Sequence, residues 1–192
     1  ALKIKSLSSK AKNLRELFLN LEQDRKNQSS ERVRQRQFRP KVNKKTNTAA
    51  PLARPLNLKP FALSRGALRY PAVGRISGRY GEIIQPGITR KGITIKTRAS
   101  AQVVAPHNGK VVFAGNFRGY GQLLIIDHGD GYHTLLAGMS RIDGIMGQYV
   151  LSGEPIGVMG TLKRERPSLY VELRRNSQPI NPTPWLDKNK NS

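Results

Sequence analysis

The chain has 192 residues, no cysteine and a formal net charge of +22, which leaves room for one compact domain with appendages. Disulfides and thiol catalysis are excluded, and no stretch approaches the roughly 20 apolar residues of a membrane span. The charge is uneven: residues 1–68 hold 17 Lys and Arg against 4 acidic residues, and residues 69–192 hold 17 against 8. Such an excess attracts nucleic acid, an anionic lipid surface or an acidic protein, and charge alone does not choose among them.

The chain opens on Ala1 already inside a helical pattern, as a processed chain or a fragment would. Leu2, Ile4, Leu7, Leu14, Leu17, Phe18 and Leu21 recur at helical spacing, with Leu7, Leu14 and Leu21 one heptad apart. This predicts an amphipathic helix within residues 1–39, the end of a coiled coil. About two heptads are too short to stand alone in water, and from Asp24 to Arg36 the pattern turns polar, Val33 apart. Residues 40–68 carry Pro40, Pro51, Pro55 and Pro60 among small and basic residues, the composition of an extended linker.

From Tyr70 the pattern changes to short apolar runs and glycine turns. Strands are predicted at 102–105, 110–114, 122–127, 132–136, 149–151, 155–159 and 169–174. His107-Asn108-Gly109, Gly119-Tyr120-Gly121 and Gly129-Asp130-Gly131 separate several of them. The spacing leaves no room for crossover helices, so residues 69–187 are expected to form a mainly β, antiparallel domain, with a tail at 188–192. Gly109 and Gly153 each follow a turn-prone pair and precede a strand, as hairpin glycines do.

Three stretches, in order, carry a resemblance. They are Arg90-Lys91-Gly92-Ile93-Thr94-Ile95, then Gly119-Tyr120-Gly121 leading to Ile126-Asp127-His128-Gly129-Asp130-Gly131-Tyr132, then Ser168-Leu169-Tyr170-Val171-Glu172. Together with Gly153-Glu154-Pro155-Ile156-Gly157 and Asn181-Pro182, they make residues 70–186 resemble the LytM family of lysostaphin-type zinc endopeptidases. The resemblance implies an antiparallel β domain with an open groove.

Active members of that family take zinc ligands from an H-x-G-x-D stretch and from the second His of an H-x-H stretch. Zinc needs such nitrogen and anionic oxygen donors, with one position left for water. By the resemblance, Arg90 and Thr94 stand at the first two ligand positions, Ser168 and Tyr170 at the H-x-H pair, and Gly138 at a further catalytic His. An arginine does not give up its proton to become a ligand. His107, His128 and His133 do not rebuild a site and read as structural or solvated.

This pattern resembles the degenerate branch of the family, the murein hydrolase activators, which join a coiled coil to a metal-free LytM domain. The resemblance implies a periplasmic, non-catalytic protein acting in cell division. It would have no cofactor of its own, and its partner would be a zinc-dependent N-acetylmuramoyl-L-alanine amidase. A coiled coil extending beyond Ala1 would reach a membrane division complex. The expected partner-binding groove comprises Arg90, Lys91, Thr94, Tyr120, Gly138, Ser168, Tyr170 and Arg174. Strand parity puts Tyr170, Glu172 and Arg174 on one face, and a basic groove with tyrosines suits an inhibitory helix of the amidase. Two blander roles remain open: Tyr120 packing within its turn, and Arg174 pairing with Glu172. The apolar stripe of the N-terminal helix must find a surface, either this groove or a continuing coiled coil.

Two other functions fit parts of the sequence. A basic module for nucleic acid or cell wall would explain the charge. It would lack the interleaved aromatic platforms and reading motifs of nucleic-acid binders, so no nucleic-acid partner is expected. A cryptic zinc endopeptidase would need a ligand set unlike the family's.

Overall fold

The computed structural model describes residues 14, 16–21, 23, 60–161 and 166–187. The chain divides into two units, Ala1–Arg54 and Pro55–Ser192. In the first, the described residues are helical; Leu14 and Phe18 are fully buried, whereas Glu16, Leu19, Asn20 and Gln23 are exposed. A four-residue step between buried positions is the spacing of an apolar stripe. The remainder of the helix expected within 1–39, the linker residues 40–59 and the tail at 188–192 lie outside the described residues. Among the described residues no helix is long and apolar enough to cross a membrane.

The second unit begins with a 3-10 turn at Phe61–Ser64. Its strands are β1 (Gly74–Gly78), β2 (Ile83–Gln85), β3 (Ile88–Thr89), β4 (Ile93–Thr97), β5 (Gln102–Val104), β6 (Gly109–Phe117) and β7 (Gly121–Gly129). They continue with β8 (Tyr132–Met139), β9 (Arg141–Ile142), β10 (Tyr149–Val150), β11 (Pro155–Val158), β12 (Ser168–Arg175) and β13 (Gln178–Ile180). The large sheet runs β1-β4-β12-β8-β7-β6-β10, with β13 also paired to β12; β5-β11-β9 form a small sheet and β2-β3 a separate hairpin. Every strand pair is antiparallel, as the close spacing of the apolar runs requires.

Alternation explains which face is core. Ile93 and Ile95 on β4, Leu124 and Ile126 on β7, Leu136 on β8, and Leu169, Val171 and Leu173 on β12 are all buried. They join Val103 and Ile156 from the small sheet, and Ala105 just after β5, in one cluster, so the core lies between the two sheets. The intervening residues of β4, β12, β8 and β7 point to the other face, which carries the site.

Three details depart from the sequence-based expectation. Phe61, placed in the linker, is 1% exposed and stacks against His128 and Trp185, with ring centroids 4.6 and 5.1 Å away. Phe61, ahead of residue 69, is therefore part of the packed domain. Gly153 has φ +86, as a turn glycine does, but Gly109 has no positive φ. Glycine is needed at 109 because a Cβ there would run into Ile126 and the Asp127 carbonyl on the neighbouring strand. Finally, β1, β2, β3, β4, β9 and β13 were not among the expected strands. They are short, and Gly74-Arg75-Ile76-Ser77-Gly78 offers one large apolar residue in five, too little for an alternation signal.

Candidate functional site

Cross-strand register arranges the second face of the large sheet in rows. Thr94 on β4 lies opposite Tyr170 on β12, which lies opposite Ala137 on β8 and then Leu123 on β7. The next row is Glu172, Leu135 and Ile125, and the one after it Arg174, His133 and Asp127. Leu123, Ile125, Leu135 and Ala137 are all buried. The face thus has an apolar floor, with tyrosine at one end and charge at the other.

Each expected groove residue has a definite place. Arg90, just before β4, donates from Nε to the Glu82 carboxylate at 3.1 Å and from Nη1 to the Thr94 hydroxyl at 3.1 Å. Its guanidinium occupies the space that a side chain at Gly78 would fill. The Glu82 carboxylate is held below its usual value by the Arg79 backbone N–H and also by Arg90. Lys91 is exposed and donates to the Thr89 hydroxyl at 2.9 Å, so its ammonium is directed to β3. Gly92 approaches β12 so closely that a Cβ would meet the Val171 carbonyl and the Tyr170 ring.

Tyr120 sits in the tight turn between β6 and β7, its ring centroid 6.0 Å from that of Tyr170. The Phe117 ring lies 6.1 Å from that of Tyr120, an aromatic neighbour that the sequence did not announce. Tyr170 donates its hydroxyl to Glu172 Oε2 at 2.6 Å. Arg174 donates from Nε to Glu172 Oε1, also at 2.6 Å, and from Nη1 to the Ser177 carbonyl at 2.9 Å. Glu172 is 1% exposed and Arg174 8%. The pairing of Arg174 with Glu172 is therefore present, and it makes Arg174 a brace for Tyr170. Burial, then the charge of Glu172, raises both phenols: Tyr120 to about 12 and Tyr170 far above the usual tyrosine value. Both stay protonated, and the Tyr170 hydroxyl remains a donor at any physiological pH.

Gly138 has φ +96, and a Cβ there would meet the Ser168 carbonyl on the adjacent strand. Any side chain at this position, histidine included, meets both an unfavourable backbone conformation and a steric block. Register thus brings Arg90, Thr94, Tyr120, Tyr170 and Arg174 together, and sets Gly138 against Ser168. Glu82, which locks Arg90, was missed because it reaches the site across the β2–β3 hairpin.

Two of the three histidines belong elsewhere. His128 is buried on the core face, with ring nitrogens 2.8 Å from the Asn108 carbonyl and 2.7 Å from the Thr134 hydroxyl. Burial lowers its pKa to about 3. His107 lies 3.0 Å from the Ser64 hydroxyl and edge-on to Phe61, and burial lowers its pKa as well. His133 alternates to the groove face, 3.9 Å from Asp127.

This sheet, its short companion sheet and the position of Arg90 just before β4, Thr94 on β4 and Tyr170 on the adjoining β12 define a LytM-type domain. Residues 89–182 match peptidase family M23, and the chain carries a domain of that family. It is 35% identical over 125 residues to the murein hydrolase activator EnvC of Escherichia coli, covering 65% of this chain and 30% of EnvC. To the murein hydrolase activator NlpD of Escherichia coli it is 33% identical over 119 residues, covering 62% of this chain and 31% of NlpD. The chain thus spans about a third of these curated relatives. The Helicobacter pylori Csd3 structure superposes with a TM-score of 0.53 and 27% identity, over 63% of this chain and 35% of that one.

The side chains gathered here do not fit the zinc ion of LytM peptidases. Arg90 is a permanent cation and Thr94 is neutral; the Tyr170 phenol holds its proton, and Glu172 is committed to Tyr170 and Arg174. Among the described residues no group of three or more His, Cys, Asp or Glu is placed to hold a metal.

Proposed function

We propose that this chain is a non-catalytic activator of a zinc-dependent peptidoglycan amidase in the periplasm, and that its groove face takes up the amidase's inhibitory helix. The observation that carries the reading is the Tyr170–Glu172–Arg174 relay. A carboxylate buried between a phenol and a guanidinium fixes both in place, so the tyrosine rings of this face are preorganised. Aromatic and Arg side chains are the residues most often found as anchors of interfaces, and an amphipathic helix on an apolar surface is a common recognition mode. The names of EnvC and NlpD, both murein hydrolase activators, support the activating role. The ligand positions filled by Arg90, Thr94 and Tyr170 support the lack of catalysis.

The test is titration of the purified chain with an amidase from the same bacterium, together with zinc analysis. The chain is expected to contain no stoichiometric zinc and to bind the amidase, and Tyr170→Ala is expected to weaken binding by roughly 2 kcal/mol or more. One equivalent of tightly held zinc, or binding indifferent to Tyr170→Ala, contradicts the reading.

A further inference from the structure

Beside the tyrosine row lies a row of charge that the groove reading does not use. Arg75 on β1 stands directly opposite Lys96 on β4, and Lys96 opposite Ser168 on β12. Alternation puts this row on the same face as Thr94 and Tyr170. Both cations are exposed. Among the described residues neither has a hydrogen-bond or ion-pair partner. Like charges placed opposite each other in an antiparallel pair are destabilising. Packing does not require them, because Ile76 and Ile95, paired at the next position, face the core. Protection of a sheet edge accounts for a cation on β1, but β4 is an interior strand and Lys96 gains nothing from that role.

The geometry suits a helix. Lys96 lies two residues from Thr94, a step of about 6.8 Å along the strand. An α-helix advances about 6 Å in four residues. A helix lying along the strands with an apolar anchor against Tyr170 therefore brings its next turn over Lys96 and Arg75.

We propose that Arg75 and Lys96 read an acidic side chain one helical turn from the partner's apolar anchor. This rests on the groove reading and names the partner's chemistry: an amphipathic helix with Glu or Asp four residues from its anchor. The cross-strand repulsion of the free chain is relieved when the carboxylate arrives, so a partner lacking the acid is discriminated against.

The experiment uses the full chain and two labelled amphipathic helical peptides of about 18 residues. One carries Glu one turn from a central Leu and the other carries Gln there; a DNA duplex is the third probe. The wild-type chain is expected to prefer the Glu peptide about two- to fivefold, with the preference shrinking between about 50 and 200 mM salt. Lys96→Glu should abolish the preference while leaving the melting temperature equal or higher, since the new carboxylate faces Arg75. Tyr170→Ala should weaken both peptides. If Lys96→Glu keeps the preference, the row has no reading role. Duplex binding as tight as the Glu peptide, lost equally in Lys96→Glu, marks an indiscriminate polyanion surface and also overturns the proposal. Failure of both peptides to bind the wild-type chain sinks the groove reading and the row with it. Peptide binding that depends on Tyr170 but not on Lys96 sinks the row alone.

Discussion

The two faces of the large sheet are both built from rings with polar ends, and they handle polarity in opposite ways. On the core face Phe61, His107, His128, Tyr132 and Trp185 pack within about one ring width of each other. The ring nitrogens of His107 and His128 turn to Ser64, Asn108 and Thr134, and burial keeps His128 neutral. On the groove face Tyr120 and Tyr170 stand beside a buried Glu172–Arg174 pair. Burying an ion pair gains little over a well-packed apolar pair, so stability does not explain it. A fixed geometry for Tyr170 does. One face closes the domain, and the other holds side chains in position.

That contrast can be broken from either side. Phe61→Ala should cost about 3–5 kcal/mol, the usual loss for a large buried ring, read from denaturant unfolding. It should leave the groove-face affinity of the folded fraction unchanged. Glu172→Ala should cost a similar 3–5 kcal/mol, because it removes the carboxylate compensating a buried guanidinium. Unlike Phe61→Ala, it should also weaken partner binding; a loss below about 1 kcal/mol would mean that the pair is screened like a surface bridge. Tyr170→Phe keeps the ring and removes the hydrogen bond to a charged acceptor, for an expected loss of about 2 kcal/mol.

Acid should act on the core face. The folded pKa of His128 is about 3, depressed by burial from an ordinary 6.5. Above 6.5 both folded and unfolded forms are neutral and the full stability is present. As pH falls from 6.5 toward 3 only the unfolded form takes up the proton, so stability falls by up to about 1.4 kcal/mol per pH unit. His107 adds in the same direction. A melting temperature that stays flat from neutral pH down to about 4 would contradict this. The smallest effect is expected at Lys91: it is exposed, and Lys91→Ala should change stability by less than about 0.5 kcal/mol.

What the sequence disclosed follows the same division. Strands β5, β6, β7, β8 and β12 were legible because Val, Ile and Leu alternate or run together there. The edge strand β1 was not, since its glycines and Arg75 hide the pattern. Phe61 looked like linker because its partners, His128 and Trp185, are distant in sequence and only the fold brings them to it. At the site, motif spacing marked Arg90, Thr94 and Tyr170, and parity set Tyr170, Glu172 and Arg174 on one face. Parity gives direction but not depth, so the burial of Glu172 and Arg174 had no sequence signal. The partnership of Arg90 with Glu82 depends on a hairpin that the sequence did not reveal.

The most direct test of the central claim is dye release from labelled peptidoglycan by the chain alone, by an amidase from the same bacterium alone, and by the two together. The account predicts release only, or far faster, with both present, and loss of that stimulation in Tyr170→Ala and in Arg174→Glu. Chelator-sensitive release by the chain alone, or stimulation untouched by both variants, would contradict it.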